Sequence, residues 1–105
     1  MAQKTVNRKV VKVVEYFAEK LIGYGVHVSK IVVFGSHIQG AAGEWSDIDL
    51  IVVSESFKNR NLFERASLIG KAYSDTVEKY LIPMDIIMET PEEYNPDFGV
   101  VVFAA

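Results

Sequence analysis

Short apolar runs alternate along this chain with two long segments of helical periodicity, and that alternation limits the fold. In residues 6–22 the apolar positions recur every three or four residues, which predicts an amphipathic helix. The same spacing over residues 62–80 predicts a second long helix. Residues 31–34 and 47–53 are short, apolar and rich in β-branched side chains, as buried strands are. A chain with this order is expected to form an α/β or α+β domain, with a small sheet covered by the helices.

The remaining segments predict one further strand and leave the carboxyl-terminal part open. Residues 84–88 have the pattern of a third strand. Residues 90–93, Thr-Pro-Glu-Glu, have the form of a capping box with proline at the first helical position, which predicts the start of a short helix. The apolar residues 99–105 form either a strand or a segment that faces a partner. The topology of the sheet stays open.

Length and composition predict one folded domain over residues 1–105, with 50% hydrophobic and 24% charged residues. The net charge of −3 and the absence of a basic run argue against tight binding to duplex nucleic acid. The absence of cysteine excludes a disulfide framework, a thiolate zinc site and a cysteine nucleophile. No stretch reaches the roughly 20 apolar residues of a membrane span. We therefore expect a cytoplasmic protein.

Three aspartates in the predicted strands are the candidate metal ligands. Asp47 and Asp49 are two residues apart, so in a strand their carboxylates face the same side. Two carboxylates that converge are most simply held by a divalent cation, and hard oxygen ligands favour magnesium or manganese over zinc. Asp85 stands alone in the apolar third strand and is the third candidate. Such a set could hold two ions roughly 3.5–4 Å apart, which suits in-line phosphoryl displacement.

Gly35 and Ser36 form the candidate phosphate-binding turn at the end of the first predicted strand. A turn that leads from a strand into a helical turn presents backbone N–H groups to an anion. Glycine removes the Cβ that would block close approach, and serine adds a small hydroxyl donor. Phosphates at this turn would lie beside metal ions held by the aspartates.

Together these residues resemble a known family. Gly35-Ser36, ten further residues and then Asp47-Ile48-Asp49 resemble the Gly-Ser-x10-Asp-x-Asp signature of the nucleotidyltransferase superfamily related to DNA polymerase β. The resemblance is closest to the minimal nucleotidyltransferase (MNT) family of prokaryotes, the antitoxins of HEPN/MNT modules, and covers about residues 10–94. It is carried further by residues 33–36, Gly40, 46–50, 84–87 and 90–93.

The resemblance implies a small mixed sheet of about three to four strands backed by two long helices. It implies transfer of AMP from ATP to an acceptor hydroxyl, with two Mg²⁺ ions and release of pyrophosphate. Gly35 and Ser36 would hold the triphosphate, and Asp47 and Asp49 would hold the magnesium ions. Asp85 would complete the metal site or act as a base. The implied partner is a HEPN-domain toxin whose hydroxyl, typically of a tyrosine, accepts AMP in a homo- or hetero-oligomeric assembly.

The segment after the Gly-Ser pair departs from the family pattern, which commonly has two arginines there. This chain has His37 and Gln39 instead, and neither gives the fixed charge and bidentate phosphate contacts of arginine. An alternative is therefore a catalytically weak or inactive module of the same fold that neutralises its partner by forming a complex. Transfer to a small molecule such as an aminoglycoside, or to an RNA end, is a third possibility that the small size and acidic balance disfavour.

Overall fold

A computed structural model describes residues 6–35 and 47–105 of the protein. These residues form two long helices and four strands. A three-residue 3₁₀ helix lies between the second strand and the second long helix. In chain order the elements are α1 (Arg8–Gly23), β1 (Lys30–Phe34), β2 (Ile48–Val53), the 3₁₀ helix (Glu55–Phe57), α2 (Leu62–Tyr80), β3 (Met84–Glu89) and β4 (Val100–Ala104). The two predicted long helices and the three predicted strands are confirmed, and the apolar segment left open by the sequence is the fourth strand.

The four strands form one mixed sheet with the order β3-β2-β1-β4. β1 is antiparallel to both of its neighbours, β2 and β4, whereas β2 and β3 are parallel. Parallel neighbours require a long crossover, and α2 provides it between β2 and β3. The two helices contact each other, and they pack over β4 and β3. The α+β fold with a small mixed sheet is confirmed.

Within residues 6–35 and 47–105, helices cover one face of the sheet and leave the other face without a helix. Leu50 and Val52 of β2 belong to the main core with the helices. Because side chains alternate along a strand, Asp49 and Ile51 lie on the opposite face, which we call the open face. Ile51 packs there in a smaller cluster that includes Tyr94, from the loop between β3 and β4. The candidate Asp49 is therefore on the face that the helices leave uncovered.

Helix α2 has the predicted bounds because both of its ends are specified locally. The Asn61 side chain accepts a hydrogen bond of 2.9 Å from the Glu64 N–H, and the Glu64 carboxylate accepts one of 2.8 Å from the Asn61 N–H. This capping box satisfies two of the amide groups that a helix start leaves without partners. At the other end Leu81 adopts a left-handed conformation with φ of 57°, and Pro83 follows.

The short helix predicted from residue 90 is wrong, although its capping hydrogen bonds form. The Thr90 N–H donates to Glu93 Oε1 at 2.8 Å, and the Glu93 N–H donates to Thr90 Oγ1 at 3.3 Å. The chain completes a single turn and then becomes irregular. Tyr94, which follows the turn, packs on the open face. This tertiary contact directs the chain away from a helix, although the capping signal is present. The second strand also begins at Ile48, one residue later than predicted.

Candidate active site

Two of the three candidate carboxylates lie side by side on the open face of the sheet. In the parallel pairing of β2 with β3, Asp49 is the direct partner of Asp85. Neighbouring strands are about 4.8 Å apart, so both side chains rise from adjacent positions on the same face. Asp49 is half-buried and Asp85 is exposed. Asp47 lies just before β2 and is exposed. The fold thus brings Asp49 and Asp85 together, with Asp47 two residues before Asp49.

Gly35 lies against the carboxylate of Asp49. Phe34, the residue before Gly35, is the partner of Asp49 in the antiparallel pairing of β1 with β2. A Cβ on Gly35 would overlap Asp49 Oδ2 and would lie 3.2 Å from Asp49 Cγ. Gly35 also has φ of 76°, a conformation that side chains disfavour. Glycine is therefore required here for two independent reasons, and the turn approaches Asp49 closely because no side chain separates them.

The other half of the predicted phosphate-binding turn is outside the described residues. Ser36 follows Gly35 directly, and its role toward the triphosphate stays a prediction. His37 and Gln39, which replace the family's arginines, also fall in this part of the chain.

The donor set fits magnesium in chemistry, because carboxylate oxygens are the ligands that this ion prefers. The Gly35 backbone and the Asp49 carboxylate lie close together, so a phosphate bound at the turn would be near an ion bound at this carboxylate. Among residues 6–35 and 47–105, however, no group of three or more His, Asp or Glu side chains forms a cluster that could hold a metal ion. The described site is thus a carboxylate pair, and the set of three ligands for two ions stays a prediction.

An ion pair fixes the loop that follows β3. Arg65 Nη1 donates to Glu93 Oε1 at 2.7 Å and to the Met88 carbonyl at 3.0 Å, while Nη2 donates to Glu93 Oε2 at 3.3 Å. Sequence reasoning missed this pair, since no local pattern links residues so far apart in the chain. The Arg65 hydrogen bonds, and then the Thr90 N–H, lower the pKa of Glu93 to about 2. Arg65 therefore ties the loop to α2 and to the end of β3.

The Glu93 pKa predicts a pH dependence of stability. A carboxyl whose pKa falls on folding stabilises the native state above its ordinary pKa of 4.5 and loses that contribution as the pH falls toward 2. We expect the stability difference between the wild type and Glu93→Gln to be constant above about pH 5.5 and to shrink on acidification. Urea unfolding at a series of pH values measures it. A difference that grows toward acid pH would contradict the assignment.

The family of the chain is shown by its sequence. Residues 10–103 match the family model described as "Nucleotidyltransferase domain". Since this match covers most of the chain, the protein belongs to the nucleotidyltransferase domain family. The predicted resemblance to the nucleotidyltransferases is thereby confirmed.

One curated relative is a candidate protein adenylyltransferase, MJ1305, of Methanocaldococcus jannaschii. It is 26% identical over 72 residues, which are 69% of this chain and 48% of the relative. The chain therefore spans about half the length of this curated relative.

Among the helices of residues 6–35 and 47–105, none has the length and apolar character needed to cross a membrane.

Solved structures share the fold at low sequence identity. A candidate nucleotidyltransferase from Sulfolobus solfataricus has a TM-score of 0.65 and 19% identity, over 90% of this chain and 88% of that one. A toxin–antitoxin structure with AMP-PNP has a TM-score of 0.57 and 16% identity, over 87% and 73%. BolA1 from Arabidopsis thaliana also has a TM-score of 0.57, with 21% identity over 79% and 96%. At such identities the likeness shows the fold alone, so the family assignment depends on the sequence match.

Proposed function

We propose that this domain transfers AMP from ATP to an acceptor hydroxyl with the help of Mg²⁺. The observation that carries the proposal is the placement of Asp49 directly beside Asp85 on adjacent strands, with Gly35 kept free of a side chain at the Asp49 carboxylate. This arrangement puts two hard oxygen donors next to a turn suited to phosphate. The family match supports the same reaction class.

In this reaction the acceptor oxygen bonds to the α-phosphorus of ATP, the bond from that phosphorus to the bridging oxygen breaks, and pyrophosphate leaves. Asp47 and Asp49 would hold Mg²⁺, and the turn of Gly35 and Ser36 would hold the β- and γ-phosphates. Bound Mg²⁺ would offset the negative charge that develops on the phosphates. Asp85 is exposed beside Asp49 and would either complete the metal site or accept the proton of the attacking hydroxyl.

The acceptor we propose is a hydroxyl on a HEPN-family toxin, which would make this domain an antitoxin of the cytoplasm. Three observations support a protein acceptor. The sequence resembles the minimal nucleotidyltransferases, the curated relative is described as a candidate protein adenylyltransferase, and one structure of the same fold is described as a toxin–antitoxin with AMP-PNP.

The test is incubation with Mg²⁺ and ATP labelled at the α-phosphate, with and without a candidate HEPN partner, followed by mass spectrometry of both proteins. We expect the partner to gain one AMP with the wild type and none with Asp47→Asn. Transfer that needs no Mg²⁺, or that persists in Asp47→Asn, would contradict the proposed metal ligand. No transfer by the wild type, with the complex retained, would favour the alternative of a binding antitoxin, which the missing arginines at positions 37 and 39 motivate.

A further inference from the structure

A cavity of about 200 Å³ lies on the open face of the sheet, under the loop between β3 and β4. Its floor is formed by Ile51 and Ile87, and its wall by Tyr94 and Phe98 of the loop. The Tyr94 hydroxyl donates to the Phe98 carbonyl at 3.0 Å, which holds the wall together. Ile87 and Phe98 are each 45% exposed, so apolar surface remains accessible at the mouth. A site of this form suits an apolar group.

The cavity lies beside the candidate carboxylates on the same face of the sheet. Ile51 pairs with Ile87 in the same register in which Asp49 pairs with Asp85, two residues further along both strands. Residues two apart in a strand lie on the same face about 6.5–7 Å from each other. The floor of the cavity is thus the next pair of side chains along the same face from the carboxylate pair, and an extended polypeptide segment is long enough to reach both.

The order of the strands places the Ile87 side of the cavity across β2 from Gly35, while Phe98 on its other side packs on Phe34, the neighbour of Gly35. Gly35 follows β1, which lies on one side of β2, whereas Asp85 is on β3 at the other side. In an in-line displacement the acceptor and the leaving group are on opposite sides of the phosphorus. If pyrophosphate leaves toward the turn at Gly35, the acceptor approaches from β3, where the cavity floor includes Ile87.

The negative charge at the rim of the cavity further limits the kind of molecule that can bind there. Glu89 lines the cavity, and no cation among residues 6–35 and 47–105 forms an ion pair with it. Glu93 also lines it but is already paired with Arg65. Burial raises the pKa of the Tyr94 hydroxyl, and the charge of Glu89 raises it further. Lys30 approaches the Tyr94 ring to 5.3 Å without pairing with Glu89. An acidic rim repels phosphate and favours a cation.

We infer that this cavity is the acceptor subsite and that it takes a polypeptide segment in which an apolar side chain and a lysine or arginine follow the acceptor hydroxyl. The apolar side chain would fill the space between Ile87 and Phe98, and the basic side chain would pair with Glu89. The inference depends on the proposed transfer for the identity of the hydroxyl as acceptor. The preference for an apolar and basic segment depends on the cavity itself.

The test uses two fluorescein-labelled peptides that differ in one residue, one with a central Tyr-Leu-Lys and the other with Tyr-Leu-Glu. Fluorescence polarisation measures their binding to the wild-type chain with no nucleotide present. We expect the basic peptide to bind about fivefold more tightly than the acidic one, the size typical of an exposed charge pair. We expect Glu89→Lys to reverse the preference. Equal binding of both peptides, or binding of neither, would overturn the inference.

Two further variants test whether the apolar floor is used. Ile87→Ala should weaken the binding of both peptides about fivefold through the loss of apolar contact. Val101→Ala is the matched control, because Val101 is 47% exposed and its partner Val32 belongs to the open-face cluster, but Val101 does not line the cavity. A loss in Val101→Ala equal to that in Ile87→Ala would overturn the inference.

The transfer assay separates this inference from the proposed function. Peptide selectivity without AMP transfer to any acceptor would contradict the proposed reaction but support the peptide-binding site. AMP transfer to the partner by the wild type, with the peptide preference unchanged in Glu89→Lys, would leave the reaction and remove the subsite.

Discussion

Replacing Asp49 with asparagine is expected to abolish AMP transfer, with a loss of about a thousandfold or more. The substitution keeps the shape of the side chain but removes the negative charge from the carboxylate beside Asp85 and Gly35. Metal-bound charge stabilisation contributes several kcal/mol to reactions of this class, and each 1.4 kcal/mol is about tenfold in rate. Initial rates of transfer from labelled ATP measure the effect.

Asp75→Asn provides the control for this charge removal. Asp75 is on α2, in the helical layer, where its carboxylate accepts a hydrogen bond from the Tyr24 hydroxyl. We expect Asp75→Asn to retain the transfer rate of the wild type, and both variants to keep the far-UV circular dichroism of a folded domain. A rate in Asp49→Asn within about tenfold of the wild type would contradict a direct role for this carboxylate in the chemistry.

Replacing Gly35 with alanine is the second substitution with a large expected effect. The new Cβ would overlap Asp49 Oδ2, and the backbone would have to keep φ of 76°. We expect transfer to fall by about a hundredfold, since a displacement of about 1 Å at a reacting group has an effect of that size. We also expect a loss of about 1–2 kcal/mol in the free energy of unfolding from the backbone conformation. Transfer rates and urea unfolding measure the two effects separately.

Gly25→Ala separates the contact with Asp49 from the backbone strain. Gly25 has φ of 89°, but a Cβ there would meet no atom within 4 Å. We expect Gly25→Ala to lose stability as Gly35→Ala does while it retains transfer. If both alanine variants lost transfer in proportion to their stability, the effect at Gly35 would be one of folding and not of the site.

Much of the secondary structure could be predicted because its signals are local. The periodicity of residues 62–80 and the capping box at Asn61 determine α2 from within one segment. The single turn at Thr90 shows the limit of such signals. Its capping hydrogen bonds form as the sequence predicts, but Tyr94 packs on the open face and no helix continues. Where the chain goes after a cap depends on contacts that the cap does not specify.

The candidate site divides in the same way. The alternate positions of Asp47 and Asp49 at the start of an apolar strand, and Gly35 at the end of another, are visible in the sequence and predict a cation site and a phosphate-binding turn. Their number and spacing also carry the resemblance to the nucleotidyltransferases. Each of these two patterns, the Gly-Ser pair and the two alternate aspartates, lies within a few consecutive residues and can therefore be recognised in the sequence.

The tertiary structure alone decides which distant residues join them. Asp85 becomes the partner of Asp49 because α2 crosses over and sets β3 parallel to β2 in one particular register. Arg65 meets Glu93, and Phe98 forms a wall over Ile87, because the loop after β3 folds back over the open face. A sequence pattern records the direction in which a side chain points along its own strand. Pairing between strands and the path of a loop depend on the packing of the whole domain, so the pairing of Asp49 with Asp85 and the cavity beside them appear only in the fold.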